Sequence, residues 1–300
     1  MSAARNVGIG VTGLLVLIGI LLAGVFVLSN SKMNRTYSVS AVDLTVRTDS
    51  ASVARGEYLV SAVVACRDCH GEDLGGAYFM DAGAMGEIAA PNLTRGTGGV
   101  GGTYSGRDWD LALRHGVAPD GRALLFMPSE AYTHLADEEV EDIVAYLHSL
   151  PPVDREFDSP KLGPVTRMLL ATGQPIQSAA YLDHEQNRPK RAPQGASLER
   201  GAHLVEVSGC RACHGADLSG GKVPGADPSW PPAANLTPHP SALGRYAEPT
   251  FEHVLRTGEK LDGGKIDPTT MPWQAYAQME PQEIQAIWTY LQSVPEVAAK

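Results

Sequence analysis

Apolar positions fall into two kinds of pattern along this chain. The first is one unbroken run: residues 7–28 carry no charge over 22 positions. A helix of roughly 20 apolar residues crosses the hydrocarbon core of a bilayer. A cleaved signal peptide is the rival, with Arg5 as its charged start. The run is longer than the roughly 7–15 apolar residues of such a segment, and no small-x-small site follows it directly. The pattern therefore predicts an uncleaved transmembrane anchor within residues 1–29, then a polar tether over 30–53. The second pattern is periodic. Val140, Ile143, Val144, Leu147 and Leu150 recur at helical spacing, and Ile284, Ile287, Trp288, Leu291 and Val294 repeat the stripe 144 residues later. Both amphipathic helices stop at a proline, Pro151 or Pro295.

The repeat reaches well beyond these helices. Met127-Pro128 returns as Met271-Pro272, Asn92-Leu93-Thr94 as Asn235-Leu236-Thr237, and Arg55-Gly56 as Arg200-Gly201. Two units follow, 54–152 and 199–300, joined by a Pro-rich linker over 153–198. Each reads as helix, cysteine-bearing turn, long loops, a helix near Trp109 or Phe251, a methionine loop and the closing helix. The fold class is all-α. With 32 glycines and 21 prolines in 300 residues, much of each unit is loop. Residues 163–172 suit a short linker helix packed on the first unit. The glycine-rich stretch 96–102 lacks Gly-Lys-Ser/Thr and is a surface loop rather than a phosphate cradle. A net charge of −10 argues against nucleic acid as a partner.

The chemistry is concentrated in two five-residue stretches, Cys66-Arg67-Asp68-Cys69-His70 and Cys210-Arg211-Ala212-Cys213-His214, which hold all 4 cysteines. Cys-x-x-Cys-His is the attachment sequence of c-type haem. Two thiols on one turn of backbone reach the two vinyl groups of a porphyrin, and the adjacent histidine lies under the iron. A bare Cys-x-x-Cys could be half a zinc site or a redox dithiol; the histidine directly after the second cysteine, found twice, favours haem. Two covalently bound haem c groups are expected, with His70 and His214 as proximal iron ligands. Such attachment takes place outside the cytoplasm, which puts the N-terminus inside and the rest of the chain outside. A distal thioether would raise the potential and close the iron to oxygen or peroxide. Met80, Met85 and Met127 are candidates in the first unit, Met271 and Met279 in the second. Only Met127 and Met271 share a spacing, each 57 residues after its histidine and each followed by proline; Met85 comes next. Arg114 and Arg256 each precede a glycine by two residues. They are candidates for pairing a haem propionate, with an exposed helix arginine as the alternative.

Together these residues resemble a membrane-anchored di-haem class I cytochrome c. The resemblance is to c-type cytochromes that accept electrons from periplasmic dehydrogenases or feed terminal oxidases. It implies that Pro91-Asn92-Leu93 matches the family's Pro-x-Leu, whose proline carbonyl accepts a bond from the proximal histidine. Leu236 and Ala234 stand in the second copy. Gly56 with Tyr146, and Gly201 with Tyr290, match the crossing of first and last helices. Met-Pro-x-x-x-Tyr points again to Met127 and Met271, with Tyr132 and Tyr276 beside the haem. The implied function is single-electron transfer between redox complexes on the periplasmic side of the bacterial inner membrane, with one membrane pass. No residue is catalytic and no small-molecule substrate is expected; the chain is a carrier, standing free or as a subunit of a respiratory or photosynthetic assembly. The alternative from another class is a di-haem cytochrome c peroxidase, which needs one iron that opens to peroxide.

Overall fold

The computed structural model describes residues 2–227 and 229–298, so the outer bounds expected at 1 and 300 lie outside the described residues. Helix α1 (Ser2–Met33) contains the uncharged run, and its large apolar residues from Val7 to Leu28 are exposed, except the half-buried Val25. Each repeat then builds the same helices. In the first, α2 (Ser50–Tyr58) runs through a π-helical turn at Leu59–Val63 to the cysteine helix α3 (Arg67–His70). Helices α4 (Gly106–His115), α5 (Ser129–Tyr132) and α6 (Asp137–Ser149) follow. A linker helix α7 (Pro164–Thr172) precedes the second set: α8 (Leu198–Val207), α9 (Cys210–His214), α10 (Glu248–Thr257), α11 (Trp273–Tyr276) and α12 (Pro281–Ser293).

The element ends follow local chemistry. Ser105 caps α4 by accepting from Asp108 N at 3.2 Å, while Asp108 accepts from Ser105 N at 2.9 Å, a reciprocal box. Glycines in the left-handed conformation, Gly116 and Gly258, end α4 and α10. The first and last helices of each repeat cross at a glycine. A Cβ on Gly56 would lie 1.8 Å from Asp142 O, and one on Gly201 would lie 1.9 Å from Ala286 O. Backbone meets backbone there, beside Tyr146 and Tyr290.

Three features depart from the sequence expectations. The fold is mostly helical but also holds a small antiparallel sheet, β1 (Ala77–Ala82), β2 (Gly86–Ala90) and β3 (Lys161–Leu162), in the order β1-β2-β3. Among the described residues Ile88 and Ala90 are its buried positions, too short an alternation to stand out from loop. The tether over 30–53 is laid along the first domain: Val39 and Leu44 are buried, Tyr37 N donates to Gly121 O at 2.8 Å, and Val42 N donates to Asp110 at 2.8 Å. Helix α7 packs against α1 as well as against the hairpin of the first domain.

The two repeats meet about a local twofold. Tyr58 on α2 donates to Glu283 on α12, and its hydroxyl accepts from Glu280 N at 2.8 Å. At the equivalent positions, His203 on α8 donates to Glu139 on α6 at 2.9 Å. A second matched pair flanks these: Gln278 donates to Ser61 O at 3.5 Å, and His134 lies 3.9 Å from Glu206. Residue i thus meets j in one direction and its counterpart repeats the contact in the other, the signature of an isologous interface. Arg200 sits at the centre, 4% exposed, donating to Glu283 and lying 3.5 Å from Glu139. Buried apolar residues form one continuous cluster across both repeats, from Val60 and Leu147 to Leu204 and Leu291.

Candidate haem sites

The proximal side is built twice by the same bonds. The residue before the first cysteine takes a left-handed backbone in both copies: Ala65 at φ +48° and Gly209 at φ +68°. Glycine does this at no steric cost; alanine bears about 1–2 kcal/mol. The turn carries Cys66 and Cys69, or Cys210 and Cys213, on a short helix that ends with the histidine. None of the four cysteines is in a disulfide, and burial pushes the Cys66 and Cys210 thiols up to about 12. His70 Nδ1 donates to Pro91 O at 2.8 Å, and His214 Nδ1 donates to Ala234 O at 2.7 Å. The backbone carbonyl serves equally when alanine replaces proline. Burial lowers both imidazole pKa values, which keeps the rings neutral. Nε2 of each has no hydrogen-bond partner among the described residues.

The loop that supplies the carbonyl is itself locked. Leu74 and Leu218, both fully buried at positive φ, turn their carbonyls to accept from Leu93 N at 2.9 Å and Leu236 N at 2.8 Å. Asn92 donates to Val153 O at 2.6 Å and Asn235 to Val297 O at 2.7 Å, tying each loop to the chain after its closing helix. Asn92 is 0% exposed; its Asn-Leu-Thr is a structural element of the loop. Arg67 and Arg211, the first variable residues of the two cysteine stretches, donate to Tyr146 Oη at 2.7 Å and Tyr290 Oη at 2.6 Å. The arginine present in both copies was the one available signal of this brace.

Met127 and Met271 are partly buried and pack against the core cluster. Each is followed by a proline with nearly the same backbone, φ −80° and −78°, and by a short helix. Tyr132 Oη donates to Val64 O and Tyr276 Oη to Ser208 O, both at 2.8 Å, closing the methionine loop onto the cysteine turn. The other candidate methionines lie elsewhere in the two repeats. Met279 is fully buried where the first repeat has the fully buried Leu135. Met80 lies in β1, and Met85 O accepts from Gly163 N and Thr166 Oγ1 at the edge of the hairpin.

Arg114 and Arg256, the candidates for propionate pairing, both bond to the protein itself. Arg114 is buried and spends its guanidinium on Asp110 at 2.7 Å, Asp137 at 2.8 Å and Leu135 O at 3.0 Å. Arg256 donates to Glu252 at 2.9 Å, Ala277 O at 2.7 Å and Met279 O at 3.2 Å. Both clamp their helix to the chain just after the methionine loop. The first methionine loop has a further support with no described counterpart in the second: Phe126 N donates to Ile176 O and Ser178 Oγ to Met127 O, both at 2.8 Å.

The donor set fits haem c in both repeats. Paired thiols precede a buried neutral imidazole whose Nδ1 is engaged and whose Nε2 is left over, with a thioether loop closed over the same turn by a tyrosine. The family pattern of cytochrome c matches residues 53–151 and 198–295, and the chain belongs to that family. It is 32% identical over 271 residues to the fructose dehydrogenase cytochrome subunit of Gluconobacter japonicus, covering 82% of this chain and 53% of that protein. It is 31% identical over 278 residues to the gluconate 2-dehydrogenase cytochrome c subunit of Pantoea cypripedii, covering 82% and 60%. A diheme cytochrome c-type protein of Cereibacter sphaeroides is 28% identical over 180 residues, 55% of this chain and 57% of that one. The chain therefore spans little more than half the length of these relatives. It is a di-haem c-type cytochrome that binds two haem c groups covalently.

Proposed function

We propose that this chain is the membrane-anchored electron-relay component of a periplasmic dehydrogenase assembly, taking single electrons from a catalytic partner and passing them to an acceptor at the inner membrane. The relatives named as cytochrome subunits of fructose and gluconate dehydrogenases support a partner that oxidises a small polyhydroxylated substrate. In this reading α1 crosses the bilayer once, N-terminus inside. Cys66 and Cys69, with Cys210 and Cys213, hold the two haems; His70 and His214 are the proximal iron ligands and Met127 and Met271 the distal ones. When bound, haem c supplies a one-electron iron couple. The Pro91 and Ala234 carbonyls fix each imidazole and raise its basicity. Tyr132 and Tyr276 hold the methionine loops shut, which keeps water and peroxide from the iron. The carrier performs no bond chemistry of its own.

The observation that carries this reading is the matching of the distal apparatus in both copies, Met-Pro-x-x-x-Tyr with the same tyrosine bond. A peroxidase would need one copy left open. Carbon monoxide added to the dithionite-reduced protein tests it by optical spectroscopy. The expected result is no binding at either haem, with Met127→Ala and Met271→Ala each opening one. Ready binding to one haem of the unaltered protein would favour the peroxidase.

A further inference from the structure

Helix α7 sits where the uncharged run of α1 gives out. Arg167 lays its guanidinium 4.6 Å above the Phe26 ring. It donates to Ser29 Oγ at 3.1 Å and Asn30 Oδ1 at 3.2 Å. Lys32 Nζ returns a bond to Ala171 O at 3.4 Å. On its other flank α7 is fixed to the first domain, Val165 N donating to Ala84 O at 2.8 Å and Thr166 Oγ1 to Met85 O at 2.7 Å. Those contacts use two faces of the helix. The third presents Val165, 41% exposed, and Met168, 47% exposed, three residues apart and therefore on one side.

Depth along α1 gives that apolar face its meaning. Phe26 lies two residues before the end of the run at Leu28, about 3 Å along a helix axis. A helix clamped to Phe26, Ser29 and Asn30 is therefore held at the level where hydrocarbon gives way to headgroups. Arg35 is exposed just beyond, and a cation there complements anionic lipid phosphates.

We propose that α7 lies in the outer-leaflet headgroup region of the membrane that α1 crosses, with Val165 and Met168 set into the boundary with the acyl chains. The proposal rests on α1 being an uncleaved membrane span. A single span leaves the attached domain free to swivel. A second contact a helix-width away fixes the tilt of the first haem domain, and with it the face open to a redox partner.

The test uses the full chain in nanodiscs of phosphatidylethanolamine and phosphatidylglycerol containing a lipid with a diazirine near its glycerol. After irradiation, adducts are mapped by peptide mass spectrometry. Adducts are expected within both 7–28 and 164–172. The double variant V165E/M168E should lose those at 164–172 while keeping those at 7–28 and the haem absorption spectrum. Adducts at 7–28 with none at 164–172 overturn the proposal and leave the anchor standing. Adducts at neither segment overturn both. Adducts at 164–172 that persist in the double variant also overturn it, because the contact would not depend on the apolar pair.

Discussion

Arg200 offers the sharpest perturbation of the twofold interface. It is the guanidinium between two carboxylates contributed by different repeats, Glu283 at 3.1 Å from Nε and Glu139 at 3.5 Å from Nη1. All three side chains are almost fully buried. At an effective dielectric of about 20, each attraction is about 5 kcal/mol before desolvation is charged against it. Arg200→Met keeps much of the apolar stem and removes the cation, leaving Glu283 with the Tyr58 hydroxyl and Glu139 with His203. Breaking a buried pair in this way costs about 3–5 kcal/mol, because an uncompensated charge stays behind. The assay is guanidinium denaturation of the holoprotein followed by the haem absorption band, at neutral and mildly acid pH. The variant should lose about 3–5 kcal/mol at pH 7. The gap to the unaltered protein should narrow in acid, since protonation relieves carboxylates that have lost their cation. A loss under about 1 kcal/mol, the worth of an exposed pair, or a gap that does not change with pH, would refute the reasoning.

Three other expectations follow from the same geometry. The bond from His203 and the charge of Arg200 outweigh the cost of burial and hold the Glu139 carboxyl below its ordinary 4.5. The stability it contributes is therefore present above pH 4.5 and lost as pH falls through its lower native value; Glu139→Gln should flatten the acid limb of a melting-temperature profile. Gly56→Ala and Gly201→Ala, at helical positions where such a change usually stabilises by about 0.4–1 kcal/mol, should instead destabilise by about 1–3 kcal/mol or more. The added methyl meets backbone carbonyls under 2 Å away, and equal or higher denaturation midpoints would sink the crossing geometry. Asn92→Ala, which strands the buried Thr94 amide and removes the shorter of two bonds to the Val153 carbonyl, should cost about 1–3 kcal/mol by the same denaturation assay, with the haem spectrum retained.

Much of this was legible because the sequence repeats. Comparison of one copy with the other singled out Met127 and Met271 among five methionines, since only these two share a spacing from their histidines. The Gly56 and Gly201 crossings were implied by the family resemblance, through a glycine and a tyrosine present in both copies. What stayed hidden depends on contacts between distant parts of the chain. Nothing local in Glu139, Arg200 or Glu283 says that they meet, since charged residues on amphipathic helices read as solvated faces. Arg114 likewise carries no sign of Asp110, Asp137 and the Leu135 carbonyl converging on it. The tether looked polar because few of its apolar residues turn fully inward, Val39 and Leu44, while Tyr37, Ala41 and Val46 pack only in part. The hairpin over 77–90 has too few alternating positions to separate it from loop.

The twofold between the repeats has a thermodynamic consequence. An interface centred on buried carboxylates and a guanidinium is a weak basis for bringing separate molecules together, because desolvation consumes most of the Coulombic gain. Joining the partners in one chain changes the standard state: the second domain is present at an effective concentration that reaches the millimolar range for short flexible connections. The polar centre then needs only to fix the register of the two domains, whose buried apolar cluster runs across both repeats. The linker over 153–198, packed against the first domain through Ile176 and Ser178, restricts the volume the second domain can search and adds to that effect.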